Sequence, residues 1–239
     1  MAQPVKRFWS DVEVSAAGEI TLDGRSVRTP GRLPLVVPYP ALAEAVAQEW
    51  RDVGETVDPR AMPLTGLANA AIERVAADPA AFAGGLAVYG GSDLLCYRGE
   101  GPLAERQAAA WDPVLAWARD RFDVTFIVTD GVMPVEQPPR TLVRLRETVV
   151  ALSPWLLAPL SPILGLTGSL LLGLALVEGA IDADTAWSAA HVDEDWQAEQ
   201  WGKDALAAET RAARAAEYRA AIRFLKLVSG RPDRTTLRS

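Results

Sequence analysis

One cysteine and one histidine are all that the 239 residues carry, and these two scarcities exclude more than any motif adds. A lone Cys96 cannot form an intrachain disulfide, so nothing marks an oxidising compartment. A lone His191 removes any metal site built from several Cys and His ligands. Basic residues are the minority, 24 Lys and Arg against 31 Asp and Glu for a net charge of −7. The clustered cationic face that nucleic acid requires is not indicated, and no such partner is expected. Neither the phosphate-cradling G-x-x-x-x-G-K-[ST] nor the dinucleotide pattern G-x-G-x-x-G occurs. Gly202-Lys203-Asp204 is only a fragment of the first, and the glycines at 84–85 and 90–91 follow no strand pattern. No cofactor, metal or small-molecule substrate is expected.

What is present describes a folded chain, 49% hydrophobic and 23% charged. The N-terminus has Lys6 and Arg7 but no apolar run behind them, so neither export nor lipidation is expected. Leu156 to Val177 is uncharged throughout and approaches the ~20 residues that span a bilayer. Pro159 and Pro162 interrupt it, leaving roughly 15 residues of clean helix, about 22 Å against a core of about 30 Å. It reads as a buried core helix, with Gly165, Ser169 and Gly173 forming a small-residue stripe for close packing.

Along the chain, Val12 and Val14 alternate with polar residues, and Ile20–Leu22 meets Arg25–Thr29 through Asp23-Gly24, a hairpin turn suited to positive φ. Leu35–Val37, between prolines, reads as a further edge strand. From Ala41 the period becomes helical: 41–50, 65–77, 79–89, then 103–122 broken or restarted at Asp112-Pro113. A β-branched run at 124–129 could be one more strand. An amphipathic helix follows over 138–152, then the apolar helix, then a helix capped by Asp182 or Asp184 that runs to Trp201, then a long Ala/Arg/Glu helix to Val228 and a polar tail. The fold class is α+β: a small β-rich N-terminal domain, residues 1–60, packed on a larger, mainly helical domain, residues 61–239.

Nucleophilic catalysis would need His191 beside Ser92 or Cys96, and Cys96 between Leu95 and Tyr97 reads better as a small core residue. A hydrolase using His191 with Ser92 or Cys96 is the alternative reading. The more informative stretch is 190–202. On one continuous helix Trp187, His191, Glu194, Ala198 and Trp201 share a stripe, which sets Glu194 among aromatic rings. One reading is a half-buried Glu paired with His191 or an Arg to fix two helices. The other is a carboxylate displayed beside aromatics to catch a basic residue of a partner. Asp193, Asp195 and Glu199 read as ordinary solvated charges.

Several stretches together resemble one family. They are Lys6-Arg-Phe-Trp9 with Asp11-Val12; Leu22-Asp-Gly-Arg25 with Val27-Arg-Thr-Pro30; Glu49-Trp50; Asp58-Pro59 and Met62-Pro-Leu-Thr65 with Ala68-Asn69; Ser92-Asp-Leu-Leu-Cys-Tyr-Arg98; Gln107 with Trp111-Asp-Pro113; Leu166-Thr-Gly-Ser169; and Asp193-Glu194 with Gln197 and Trp201-Gly202. Spread over residues 6–228, they are similar to the assembly chaperones for the alpha subunit of F-type ATP synthase, found in mitochondria and related bacteria. The resemblance implies no enzyme. It implies a molecular chaperone that binds the unassembled alpha subunit and masks its beta-contacting surface until assembly. It further implies that any ATPase label belongs to the client. Glu194 matches the family glutamate tied to chaperone action, and Asp193, Trp196, Gln197 and Trp201 join it as expected partner-binding residues. Gly91 departs from the acidic residue expected before Asp93. No transit peptide precedes Lys6, which points to a cytoplasmic location, the bacterial counterpart of the mitochondrial matrix, without stable membrane insertion.

Overall fold

The computed structural model describes residues 5–131, 133–202 and 205–230. Lys203, Asp204 and the expected basic tail beyond 230 lie outside the described residues. Two compact units form. One takes its residues from the first 79, from 154–159 and from 219 onward; the other takes 80–153 and 160–218.

In the first unit, β1 (Val12–Val14), β2 (Ile20–Leu22) and β3 (Arg25–Ser26) make an antiparallel meander with Val12 opposite Leu22 and Val14 opposite Ile20. Asp23 and Gly24 both take positive φ, 48° and 74°, as the two-residue hairpin demands. The Asp23 carboxylate accepts from the backbone N–H groups of Asp11 and Ser10 at 2.8 and 3.0 Å, which holds its pKa below the usual carboxylate range. The further strand expected at 35–37 is not a strand but a bridge of Val36 to Glu19. Here Val37 N–H donates to the Gly18 carbonyl at 2.9 Å. Gly18, at φ 81°, brings its backbone so close that a Cβ would lie 2.0 Å from the Val37 oxygen.

Helix α1 (Pro40–Arg51) follows, with proline in the first turn and Leu42, Ala43, Val46 and Ala47 turned inward. Glu49 on its half-exposed side accepts hydrogen bonds from Leu64 N–H (2.8 Å), Thr65 N–H (2.7 Å) and Thr65 hydroxyl (2.8 Å), capping α2 (Pro63–Ala70). A π-turn over Ala71–Val75 continues α2. Removing this cap by Glu49→Ala is expected to cost about 1–2 kcal/mol, read as a lower urea midpoint at unchanged m-value. The unit's core joins Trp9, Ile20, Leu35, Leu42, Leu64 and Phe224, with Trp155 stacked on Phe224 at 6.1 Å. Each fully buried aliphatic side chain there contributes about 1.5–3 kcal/mol.

The second unit opens with α3 (Pro79–Ala87) and reaches β4 (Tyr97–Arg98) through two short 3₁₀ turns. Its spine is α4 (Pro102–Phe122), unbroken although Pro113 lies inside it. The expected break does not occur. Pro113 removes only one ladder donor, on a face open to solvent. The run 124–129 is likewise not a full strand: only β5 (Thr129–Asp130) pairs, parallel to β4. Ahead of it the buried Gln137 side chain takes the strand partner's place, accepting from Ile127 N–H and donating to Ile127 C=O at 3.0 and 2.8 Å.

After α5 (Pro139–Val150), the apolar stretch forms two helices rather than one, α6 (Pro154–Thr167) and α7 (Leu170–Glu178). Gly168 at φ 66° ends α6, and the Ser169 hydroxyl accepts from Leu172 N–H to start α7. The small-residue stripe therefore divides. Ser169 is a cap, while a Cβ on Gly173 would meet Leu164 and Leu160 at 2.5 and 2.7 Å. Among the described residues no helix is long and apolar enough to cross a membrane. The chain ends in α8 (Ala183–Ala190), α9 (Val192–Trp201) and α10 (Ala205–Ser229). The overall class is α+β, with a three-stranded sheet near the N-terminus and a two-stranded one, β4 with β5, inside the mainly helical part.

Candidate functional site

The expected single helix over 182–201 is two, because His191 stands between α8 and α9 at φ −116°, ψ 17° and breaks the repeat. Asp182 caps α8 through Thr185 N–H at 2.7 Å. His191 is 1% exposed, its ring stacked 3.9 Å from that of Trp187 and its Nδ1 2.7 Å from the Trp187 carbonyl. Burial, opposed by the Trp187 carbonyl and Glu194, lowers its pKa, so the ring is neutral at pH 7. The Nε2 has no hydrogen-bond partner among the described residues. Neither ring nitrogen is thus bonded to Ser92 or Cys96. Cys96 is buried, and desolvation followed by the Asp93 charge pushes its thiol up to about 12, far from thiolate formation at neutral pH. The hydrolase pairing is not made.

Beyond the break, α9 turns an acidic and aromatic face to three arginines. Glu194, 45% exposed, accepts from Arg214 Nη1 at 2.8 Å, and Arg214 Nη2 also donates to the Leu166 carbonyl at 3.2 Å. Asp195 pairs with Arg211 at 2.5 Å. Glu199 pairs with Arg106 at 2.7 Å, and the same guanidinium lies 4.9 Å from the Trp196 ring. The Arg106 hydrogen bond holds the Glu199 carboxyl below its usual range and raises Arg106. Pairs this open to water are screened by solvent and add little to stability, which leaves their charges available to other partners. Trp201 at the helix end is 80% exposed, and Gln197 is open to solvent.

What anchors α9 lies underneath. Gln107 on α4 is buried and donates to Asp193 at 2.7 Å while accepting from Gly99 N–H at 2.7 Å. One turn on, Trp111 donates its indole N–H to the Ala189 carbonyl at 2.7 Å and lies 4.9 Å beneath the Arg98 guanidinium. Arg98 in turn pairs with Asp112 at 2.5 Å. Asp93 is fully enclosed. Its carboxylate takes Leu95 N–H (3.1 Å), the Ser169 hydroxyl (2.7 Å) and Leu171 N–H (3.0 Å), so one side chain caps both a 3₁₀ turn and the start of α7. Among the described residues no cluster of three or more metal-ligating side chains forms.

The sequence and this arrangement can be set against known proteins. The model of the family described as ATP12 chaperone protein matches residues 6–119. Atp12 from Paracoccus denitrificans is 45% identical and superposes with a TM-score of 0.87, over 93% of this chain and 98% of that one. The chain belongs to the ATP12 chaperone family. A mutant of the same P. denitrificans protein matches at 44% identity over 93% and 97% of the two chains, TM-score 0.87. The Atu1473 protein from Agrobacterium tumefaciens matches at 42% over 93% and 86%, TM-score 0.87.

As an ATP12-family chaperone of ATP synthase assembly, the chain explains its own scattered resemblances, which meet in pairs. Glu49 caps the helix that Met62-Pro-Leu-Thr65 begins. Asp93 binds Ser169, Arg98 binds Asp112, and Gln107 binds Asp193. Arg7 donates to the Val53 and Arg51 carbonyls, and Trp9 to that of Trp50. The arginines at 106, 211 and 214 were not singled out from sequence. Arg106 lies on α4, and the spacing of Arg211 and Arg214 on α10 is the only local signal, which does not identify their partners on α9.

Proposed function

We propose that this ATP12-family chaperone binds the unassembled alpha subunit of F-type ATP synthase and covers the surface destined for the beta subunit. It does so by a protein interface, without catalysis, nucleotide or metal, in the cytoplasm. The carrying observation is Trp201, a large ring 80% exposed at the end of a helix whose first turn is acidic, with Asp193, Glu194 and Asp195. An exposed aromatic next to charges that exchange partners is what a reversible interface uses for anchoring and steering. Glu194, Asp193, Trp196, Gln197 and Trp201 are the proposed partner-binding residues. In this reading a basic residue of the client competes with Arg214 for Glu194.

Glu194→Gln preserves a neutral hydrogen bond to Arg214 and removes the charge. The expected outcome is a melting temperature within a few degrees of wild type and about tenfold weaker capture of the purified alpha subunit, about 1.4 kcal/mol. Surface plasmon resonance on both proteins checks it. Unchanged capture by the variant would remove Glu194 from the site, and no capture by the wild type would remove the client.

A further inference from the structure

A groove of about 640 Å³ lies beside this face, walled by α4 and α8 and ending at Val192, the first residue of α9. Ala110, Val114, Ala189 and Trp117 give it an apolar lining. Its polar side chains are Asp184, Thr185, Ser188 and the indole of Trp117. Asp184 is the only ionised side chain in the lining and forms no ion pair among the described residues. Pro113, also in the lining, has no N–H to give the Ala109 carbonyl one turn back, so that oxygen lacks its helical donor in the same groove. No cationic side chain lines the groove to answer them.

The walls decide what can fit. Both are helices whose backbone groups are largely satisfied internally, so an extended segment laid between them would find almost nothing to pair its own N–H and C=O groups with. A helix arrives with its backbone already bonded. We propose that the α4–α8 groove docks an amphipathic helix of the client subunit, its aliphatic face on the lining and a lysine or arginine reaching Asp184 and the Ala109 carbonyl. This rests on the client reading above and extends its surface from α9 onto α8.

The test uses the full chain and the purified alpha subunit. Ser188→Trp fills the groove from an exposed position, and Asp184→Lys reverses its one charge. Neither side chain is buried, so melting temperatures stay near wild type. Ser188→Trp is expected to weaken capture about tenfold or more, and Asp184→Lys to weaken it and flatten its salt dependence. Benzoylphenylalanine at position 109 should crosslink to a client segment that is helical and carries a Lys or Arg. Wild-type capture with both variants equally active overturns the groove and leaves the client reading standing. Crosslinking to a second copy of this chain, or to an extended client strand, also overturns it. Failure of the wild type to capture the alpha subunit at all removes both.

Discussion

Asp93→Ala is expected to lose about 3–5 kcal/mol of stability, because it strands three donors in a site with no water access. Leu95 N–H, Leu171 N–H and the Ser169 hydroxyl all end on this carboxylate. Asp93→Asn keeps one acceptor oxygen but turns an NH₂ group on one donor, so roughly half that loss is expected. The pH dependence separates charge from shape. Desolvation, only partly offset by the donors from Leu171, Ser169 and Leu95, raises the pKa from 3.8 to about 6. Between those values the folded state holds more proton than the unfolded chain, so Asp93 contributes stability that increases as pH falls from about 6 towards 4 and is lost as pH rises through 6. Neutral His191 has the opposite sign: its lowered pKa makes the fold lose stability as pH drops below 6.5. Comparing wild type with Asp93→Asn cancels the His191 effect. The stability gap between them, from urea unfolding at pH 5 and pH 7, is expected to be wider at pH 5.

Trp111→Ala is expected to cost about 4 kcal/mol, within the range for truncating a buried tryptophan. More than a cavity is involved. The indole is 1% exposed, holds the Ala189 carbonyl of α8 and carries the buried Arg98 guanidinium on its face. Arg98 already has one buried nitrogen without a partner, and burial lowers its pKa. Trp111→Phe retains much of the packing but not the hydrogen bond, so about half the loss is expected. Thermal unfolding followed by near-UV circular dichroism measures both. Loss of hydrogen-exchange protection in α8 ahead of α5 would show that Trp111 acts through α8.

The two substitutions also mark what was legible in sequence. The meander was, since alternation at Val12 and Val14 and the Asp23-Gly24 turn are local signals. The apolar stretch from 156 was recognised as buried but not as two helices, because a run of Leu has no polar face whose phase could reveal Gly168 as a stop. His191 broke a stripe that looked continuous, since a helix break with no proline or glycine leaves no mark in a periodic pattern. The acidic segment could be read residue by residue. Its partners could not: Gln107 is 86 positions from Asp193, and Arg106 is 93 from Glu199. Pairing across such separations is decided by how α4 and α9 pack, which local spacing does not encode. The family resemblance supplied Gln107 and Asp193 without saying that they touch, and it included neither Arg106 nor Glu199.

Order of addition during refolding of the alpha subunit tests the central claim most directly. Light scattering should stay low when an equimolar amount of this chain is present, without nucleotide, and adding beta subunit should displace the chain into the free fraction on gel filtration. Scattering as high as without it, or a stable complex holding this chain and beta on alpha together, contradicts the claim that it covers the beta-contacting face.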